Sequence, residues 1–248
     1  MTGAVVPNTA TTVVMQENVS KIENEVGAQV TLNQPAKFNE NIRLSGEDIS
    51  TGQLVFPAGY RLKAVDIGLL SSLGHAKIDV IRKLKVAIFS TGDELKRPGQ
   101  TLNDGDIYES NSQVIGALLN RMDVEVINMG IVPDNIEAIK AAFILADQEA
   151  DAVISSGGVS VGEADYTKDV LDELGHVDFW KVAIKPGKPF AYGTLPNSVF
   201  FGLPGNPVSA AVTFHQLAKP ALQKMSGGGT TTTIMLQAVL TQQVRKRP

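Results

Sequence analysis

Residues Ser155-Ser156-Gly157-Gly158-Val159-Ser160-Val161-Gly162-Glu163-Ala164-Asp165-Tyr166 set two adjacent glycines, a serine and a carboxylate directly after the apolar run Ala152-Val153-Ile154. Paired glycines let the backbone come close to a ligand and turn its amides inward, and the start of the following helix favours an anion. Ser160 adds a hydroxyl donor, and Asp165 adds a carboxylate able to bind a metal or handle a proton. The stretch lacks the Gly-Lys-Ser/Thr ending of a P-loop and the spacing of a dinucleotide fingerprint, which disfavours both classes. A second loop of the same strand-to-helix kind is Leu203-Pro204-Gly205-Asn206-Pro207-Val208-Ser209.

Three further clusters fall at predicted strand ends. In Ser90-Thr91-Gly92-Asp93-Glu94-Leu95 an apolar strand gives way to hydroxyls and carboxylates, which could hold Mg²⁺ against phosphates or cap a turn. Asp134, after Pro133, stands where an N-cap is expected and becomes a ligand only if it points inward. Lys181 and Lys185 are an even number apart, which places them on one face of a strand, and Pro186-Gly187 bends the chain to bring Lys188 near. Three ammonium groups converging in an acidic protein suit a phosphate or another oxyanion. His75, His176 and His215 are isolated and form no pair with ligand spacing.

The elements that must position these groups follow from the change of pattern near Lys83. Residues 86–90, 125–132 and 152–154 read as apolar strands. They alternate with helices capped by Ser110 or Asn111 and running to Met122, beginning at Pro133-Asp134 and running through Gln148, and spanning 166–174. Val114, Leu118, Leu119 and Met122 share one predicted inward face, and Ile136, Ile139, Phe143 and Ala146 another. Residues 179–184, 190–192 and 199–203 are three strands too close together for helical crossovers, so part of the sheet is expected to be antiparallel or a hairpin. Residues 208–224 read as the closing helix. The expected fold is α/β, a three-layer and mostly parallel sheet with ligands at the carboxyl ends of its strands. Residues 1–62 read instead as an irregular β region with a thin core, including a strand-like 11–15; 64–73 read as a short helix and 77–82 as a strand.

The 248 residues allow one sizeable core with smaller units beside it. A net charge of −4 argues against a general nucleic-acid binder. The absence of cysteine removes disulfides, thiolate metal sites and a cysteine nucleophile. No apolar stretch approaches the ~20 residues that span a bilayer, and no signal peptide begins the chain, so a cytoplasmic protein without a membrane partner is expected. Ser226-Gly227-Gly228-Gly229 reads as a linker to a strand starting in the Thr230–233 run. The unpaired strand-like segments at both ends suggest a chain truncated at both ends.

Met1-Thr2-Gly3-Ala4, Gly46-Glu47-Asp48-Ile49, Phe89 to Leu95, Ser156 to Tyr166, Lys185 to Pro189 and Leu203 to Ser209, in this order and spacing, closely resemble the MoeA family of molybdopterin molybdenumtransferases. The resemblance covers nearly the whole chain. It implies a part of domain II in 1–42, a part of domain I in 43–82, a complete molybdopterin-binding α/β domain in 83–227 and the opening of a C-terminal β domain in 228–248. It further implies that adenylyl-molybdopterin is bound, its adenylate cleaved with Mg²⁺ and released as AMP, and molybdate inserted to give molybdenum cofactor. In that reading Glu94, Asp134 and Asp165 bind Mg²⁺ and orient water, while Ser160, Lys185, Lys188 and Ser209 donate to molybdate. Lys181 balances the pterin phosphate, Gly157, Gly158 and Asn206 contact substrate, and Pro204 and Pro207 shape the pocket. Thr2 and Arg43 match positions that the family uses across a dimer cleft.

The partners implied are a second copy of the chain, a MogA-like adenylyltransferase upstream and molybdoenzyme acceptors downstream. Two rival readings stay open. One is a MogA-like adenylyltransferase, although Ser160 stands where its glycine loop carries threonine. The other is a molybdopterin-binding or scaffold module without catalysis, as in the gephyrin relatives of the family.

Overall fold

The computed structural model describes residues 2–24, 27–158, 166–228, 236–239 and 241–242. It separates into two compact units, Met1–Pro57 and Ala58–Pro248. In the first, a 3₁₀ turn at Gln16–Asn18 leads into the antiparallel hairpin β1 (Val19–Asn24) and β2 (Gly27–Leu32), with Val19 opposite Leu32. None of its described residues is buried, in keeping with the thin core expected. Residues 11–15 form no strand: the Val13 amide donates to the Glu40 carbonyl, and the Asn41 side chain donates to the Val13 carbonyl.

The second unit opens with α1 (Ala64–Ser72) and continues with β3 (Lys85–Thr91), the short parallel pair β4 (Leu95–Lys96) and β5 (Ile107–Tyr108), α2 (Asn111–Asn120), β6 (Glu125–Val132) and α3 (Ile136–Glu149). It then runs through β7 (Ala152–Ser156), α4 (Tyr166–Leu174), β8 (His176–Lys181), β9 (Pro189–Thr194), β10 (Val199–Leu203), α5 (Pro207–Thr213), a π turn at Phe214–Ala218 and α6 (Lys219–Met225). The main sheet has the order β6-β3-β7-β10-β9-β8. Its first four strands are parallel, and β9 runs antiparallel to both neighbours, as the crowding of the last three strands required.

Strand alternation gives the sheet two apolar faces. Val86, Ile88, Ile154 and Phe201 pack with Ile115 and Leu119 of α2 and with Phe214 and Leu222 behind α5. Ala87, Phe89, Val153 and Phe200 pack with Ile139 and Phe143 of α3 and with Val170 and Leu171 of α4. Phe143 meets Phe89 and Phe200 edge-on at 5.1 and 5.2 Å, an arrangement in which truncation to alanine costs about 3–5 kcal/mol. The result is the expected three-layer α/β domain with a mostly parallel sheet.

Several details depart from the sequence reading. Residues 77–82 form no strand, because no neighbouring strand is available to pair with them among the described residues. Val114 and Ile136 face outward, while Ile115 and the Asp147 carboxylate turn inward. Asp147 is accommodated by hydrogen bonds from the Asn197 amide, the Asn197 side chain and the Ser198 hydroxyl, which tie α3 to the β9–β10 turn. The closing helix is interrupted by the π turn, directly before Pro220. A proline ring crowds the preceding turn and brings no N–H, and the wider turn accommodates both deficits. The expected strand at 230–233 lies outside the described residues.

Candidate active site

The parallel strands all deliver their carboxyl ends to one edge of the sheet. From β3 come Thr91, Gly92, Asp93 and Glu94; from β6, Pro133 and Asp134; from β7, Ser156, Gly157 and Gly158; from β10, Leu203 to Pro207. The reversal of β9 adds one more group. Lys181 pairs with Pro189 and the Val182 amide donates to the Lys188 carbonyl, so the hairpin carrying Lys185, Pro186, Gly187 and Lys188 projects from this same edge. The lysines therefore share the edge for a reason other than the one inferred from sequence. Lys185 belongs to the hairpin turn and not to a strand, so strand parity does not align it with Lys181. Lys185 and Lys188 are exposed, Gly187 packs against Thr213 of α5, and the Lys181 side chain lies outside the described residues.

Gly157 and Gly158 both adopt the left-handed backbone region, with φ of 89° and 65°. A Cβ on Gly158 would lie 2.4 Å from the Thr167 hydroxyl oxygen and 2.9 Å from that of Thr91; one on Gly157 would lie 2.5 Å from the Thr91 carbonyl. Glycine is needed here by both conformation and space. Beneath this turn the hydroxyls of Thr91, Ser155 and Thr167, all buried, have no hydrogen-bond partner among the described residues. Unpaired buried donors are rare in folded proteins and mark a place where a ligand or water completes the bonding. Ser160 and Asp165 lie outside the described residues.

The glycine turn and the Pro204 loop are joined. The Gly157 amide donates to the Leu203 carbonyl, and Asn111 donates through Nδ2 to the Ser156 hydroxyl at 2.6 Å and to the Gly205 carbonyl at 2.8 Å. Asn111 opens α2, yet neither it nor Ser110 caps that helix through its side chain. The Glu109 carboxylate does so instead, accepting the Ser112 amide at 2.7 Å and the Ser90 hydroxyl at 3.0 Å. In the Pro204 loop, Asn206 caps α5 by accepting the Val208 and Ser209 amides, Pro207 takes the first helical position, and Pro204 and Ser209 are buried.

On the β3–β6 side the carboxylates gather. Asn135, not Asp134, caps α3 by accepting the Ala138 amide, which leaves the Asp134 side chain available. The Asp134 amide donates to Asp93, and the Glu94 carboxylate folds back over Gly92, where a Cβ would lie 2.7 Å from it. Partial burial, and after it the charges of Asp93 and Glu94, push the Asp134 carboxyl above its ordinary value. Among the described residues, no group of three or more metal-ligating side chains stands in position to hold an ion. Thr2 and Arg43 belong to the other unit, where Arg43 is paired with Asp48 at 2.7 Å.

A cleft of about 500 Å³ opens at the opposite edge of the sheet, lined by Arg82, Asp151, Asn197, Ser198 and Met225 among others. Its polar groups are already satisfied: Arg82 is paired with Asp151, and Asn197 and Ser198 donate to Asp147. The unpaired buried groups lie at the carboxyl edge, which makes that edge the candidate site. Sequence reading named the glycines, prolines, carboxylates and lysines of this edge but gave no ligand role to Asn111 or Thr167. An asparagine in the first turn of a helix suggests only a cap; its true partners are 45 and 94 residues away.

Comparisons with known proteins bear on the fold and the family. The family described as "Probable molybdopterin binding domain" matches residues 87–224, and "MoeA N-terminal region (domain I and II)" matches residues 1–74. The chain is 51% identical over 227 residues to the molybdopterin molybdenumtransferase of Haemophilus influenzae, covering 92% of this chain and 55% of that protein. It is 39% identical to the namesake in Nostoc, covering 91% of this chain and 52% of that one. A crystal structure of the molybdopterin biosynthesis MoeA protein of Pyrococcus horikosii superposes with a TM-score of 0.78 at 36% identity, over 91% of this chain and 55% of that one. The chain thus spans about half the length of these relatives. No helix among the described residues is long and apolar enough to cross a membrane. With a three-layer sheet, a glycine turn over unpaired hydroxyls and a family match across most of the second unit, this chain belongs to the molybdopterin-binding domain family, preceded by a MoeA N-terminal region.

Proposed function

We propose that the chain is the substrate-binding portion of a molybdopterin molybdenumtransferase, which cleaves adenylyl-molybdopterin, releases AMP and inserts molybdate into the dithiolene. The observation that carries the reading is the carboxyl edge itself, with carboxylates at one end, unpaired hydroxyls under a glycine turn in the middle and lysines at the other end. Glu94 and Asp134, with Asp165, would hold Mg²⁺. The raised Asp134 carboxyl supports the fit, because a cation stabilises an ionised carboxylate that partial burial, and after it the charges of Asp93 and Glu94, disfavour. The ion supplies charge neutralisation at the phosphoanhydride.

Around it the chain's own groups bind and orient. Lys185 and Lys188, with Ser160 and Ser209, donate to molybdate oxygens, and Lys181 balances the charge of the pterin phosphate. Gly157 and Gly158 admit the ligand to the backbone, and Asn206, Pro204 and Pro207 fix the facing loop. A carboxylate accepts a proton from the water that attacks the anhydride phosphorus; the P–O bond to the molybdopterin phosphate breaks and AMP departs. Thr2 and Arg43 would act from a second copy in a dimer, in the cytoplasm, where a MogA-like enzyme supplies substrate and molybdoenzymes take the product. The four-part division of the chain into 1–42, 43–82, 83–227 and 228–248 belongs to the same reading.

The test incubates the chain with adenylyl-molybdopterin, Mg²⁺ and molybdate and follows AMP. Release is expected from the wild type and a fall of about a hundredfold from Asp165→Asn or Asp134→Asn. Equal rates would remove these carboxylates from the chemistry, and consumption of ATP without AMP release from the adenylated substrate would favour the adenylyltransferase.

A further inference from the structure

Asn111 is 8% exposed and has both of its amide hydrogens committed, one to Ser156 on β7 and one to Gly205 after β10. Its Oδ1 is buried without a partner among the described residues. The amide cannot be reversed without setting Oδ1 against the Gly205 carbonyl, two acceptors face to face. Beneath it, Glu109 holds the first turn of α2 against β3 through Ser112 and Ser90. Oδ1 is thus a fixed acceptor, buried and unpaired among the described residues, placed where the two loops of the site meet.

Resting on the function proposed above, we infer that Asn111 is a positioning and specificity-determining residue whose Oδ1 accepts an N–H or O–H of the ligand lying across the glycine turn and the Pro204 loop. An unpaired buried carbonyl costs the free protein stability that a ligand donor restores. A bare oxyanion has no hydrogen to offer and would be repelled by Oδ1. The site therefore reads two chemistries: lysines and hydroxyls take the anionic part, and Asn111 takes the neutral, hydrogen-bearing part. That donor is supplied either by the pterin ring or by the nucleoside, and the two are separable.

The experiment compares wild-type chain with Asn111→Ala and Ser156→Ala, measuring by calorimetry near neutral pH the affinities for adenylyl-molybdopterin, AMP, molybdopterin and molybdate, an oxyanion that carries no hydrogen there. Asn111→Ala is expected to weaken adenylyl-molybdopterin at least about tenfold while changing molybdate affinity less than about twofold. Ser156→Ala, which leaves the bond to Gly205 in place, is expected to change the former less than about threefold. Loss confined to AMP assigns the donor to the nucleoside, and loss confined to molybdopterin assigns it to the pterin; either supports the inference. An equal loss for molybdate and for adenylyl-molybdopterin would mean that Asn111 merely ties the loops together, and overturns it. No loss at all overturns it as well. Failure of the wild type to bind adenylyl-molybdopterin overturns the functional reading first and this inference with it. Asn111→Ser is read in the same way if the alanine variant does not fold.

Discussion

At the scale of single residues the site depends on what is missing as much as on what is present. Gly158 is confined by its φ of 65° and by the hydroxyls of Thr91 and Thr167. Gly158→Ala is therefore expected to lower stability by about 1–3 kcal/mol in urea unfolding, from the left-handed backbone and the contact together. Adding Thr167→Ala should recover part of the loss, because it removes the hydroxyl but not the backbone strain. A single variant as stable as wild type would show that the turn can open without cost. The glycines were legible in the sequence as a turn that lets the backbone come close to its neighbours, which their positive φ and tight contacts display. Asn111 was not, since its meaning lies in partners brought to it by two other strands.

At the scale of elements, the strands and helices followed from periodicity wherever burial decided them. Residues 125–132 and 199–203 were bounded as observed, the second because a buried apolar run between turn formers leaves little freedom. Errors arose where a tertiary contact decides the outcome: residues 77–82 look like a strand but meet none, and the lysine hairpin turns before Lys185. Capping was misassigned twice: Glu109 holds the first turn of α2 from beside the more usual Ser110, and Asn135, as good a cap as Asp134, takes α3 one residue later. The amino edge also carries a pH-sensitive tie. The Arg82 guanidinium, with help from the Lys85 amide, holds the Asp151 carboxyl below its ordinary value of 3.8. A depressed folded value means stability that is present above the unfolded value and is lost as pH falls through the folded one. Asp151→Asn is expected to cost about 1 kcal/mol at pH 7 and progressively less below pH ~4, read from urea midpoints at both pH values. An unchanged difference across that range would exclude the ionised carboxylate as the cause.

At the scale of the molecule, the two units differ in how much they bury. The second contains both apolar faces of the sheet, whereas the first has no buried described residue and a two-stranded ladder of its own. An isolated hairpin is at best marginally stable in water. In hydrogen exchange, amides of 19–32 are expected to be replaced within seconds, and those of 85–91 and 152–156 more slowly by several orders of magnitude. Slow exchange in the hairpin would mean that something covers it in solution.

The reversed direction of β9 also fixes a length. Strands in a sheet stand about 4.8 Å apart, and three such steps separate β3, with its carboxylates, from β9, with its lysine hairpin, a span of roughly 14 Å. A parallel β9 would have sent that hairpin to the far edge. The sheet therefore acts as a ruler: a ligand that touches both banks must be long and carry separated charges, and a small oxyanion on its own can occupy one bank at a time.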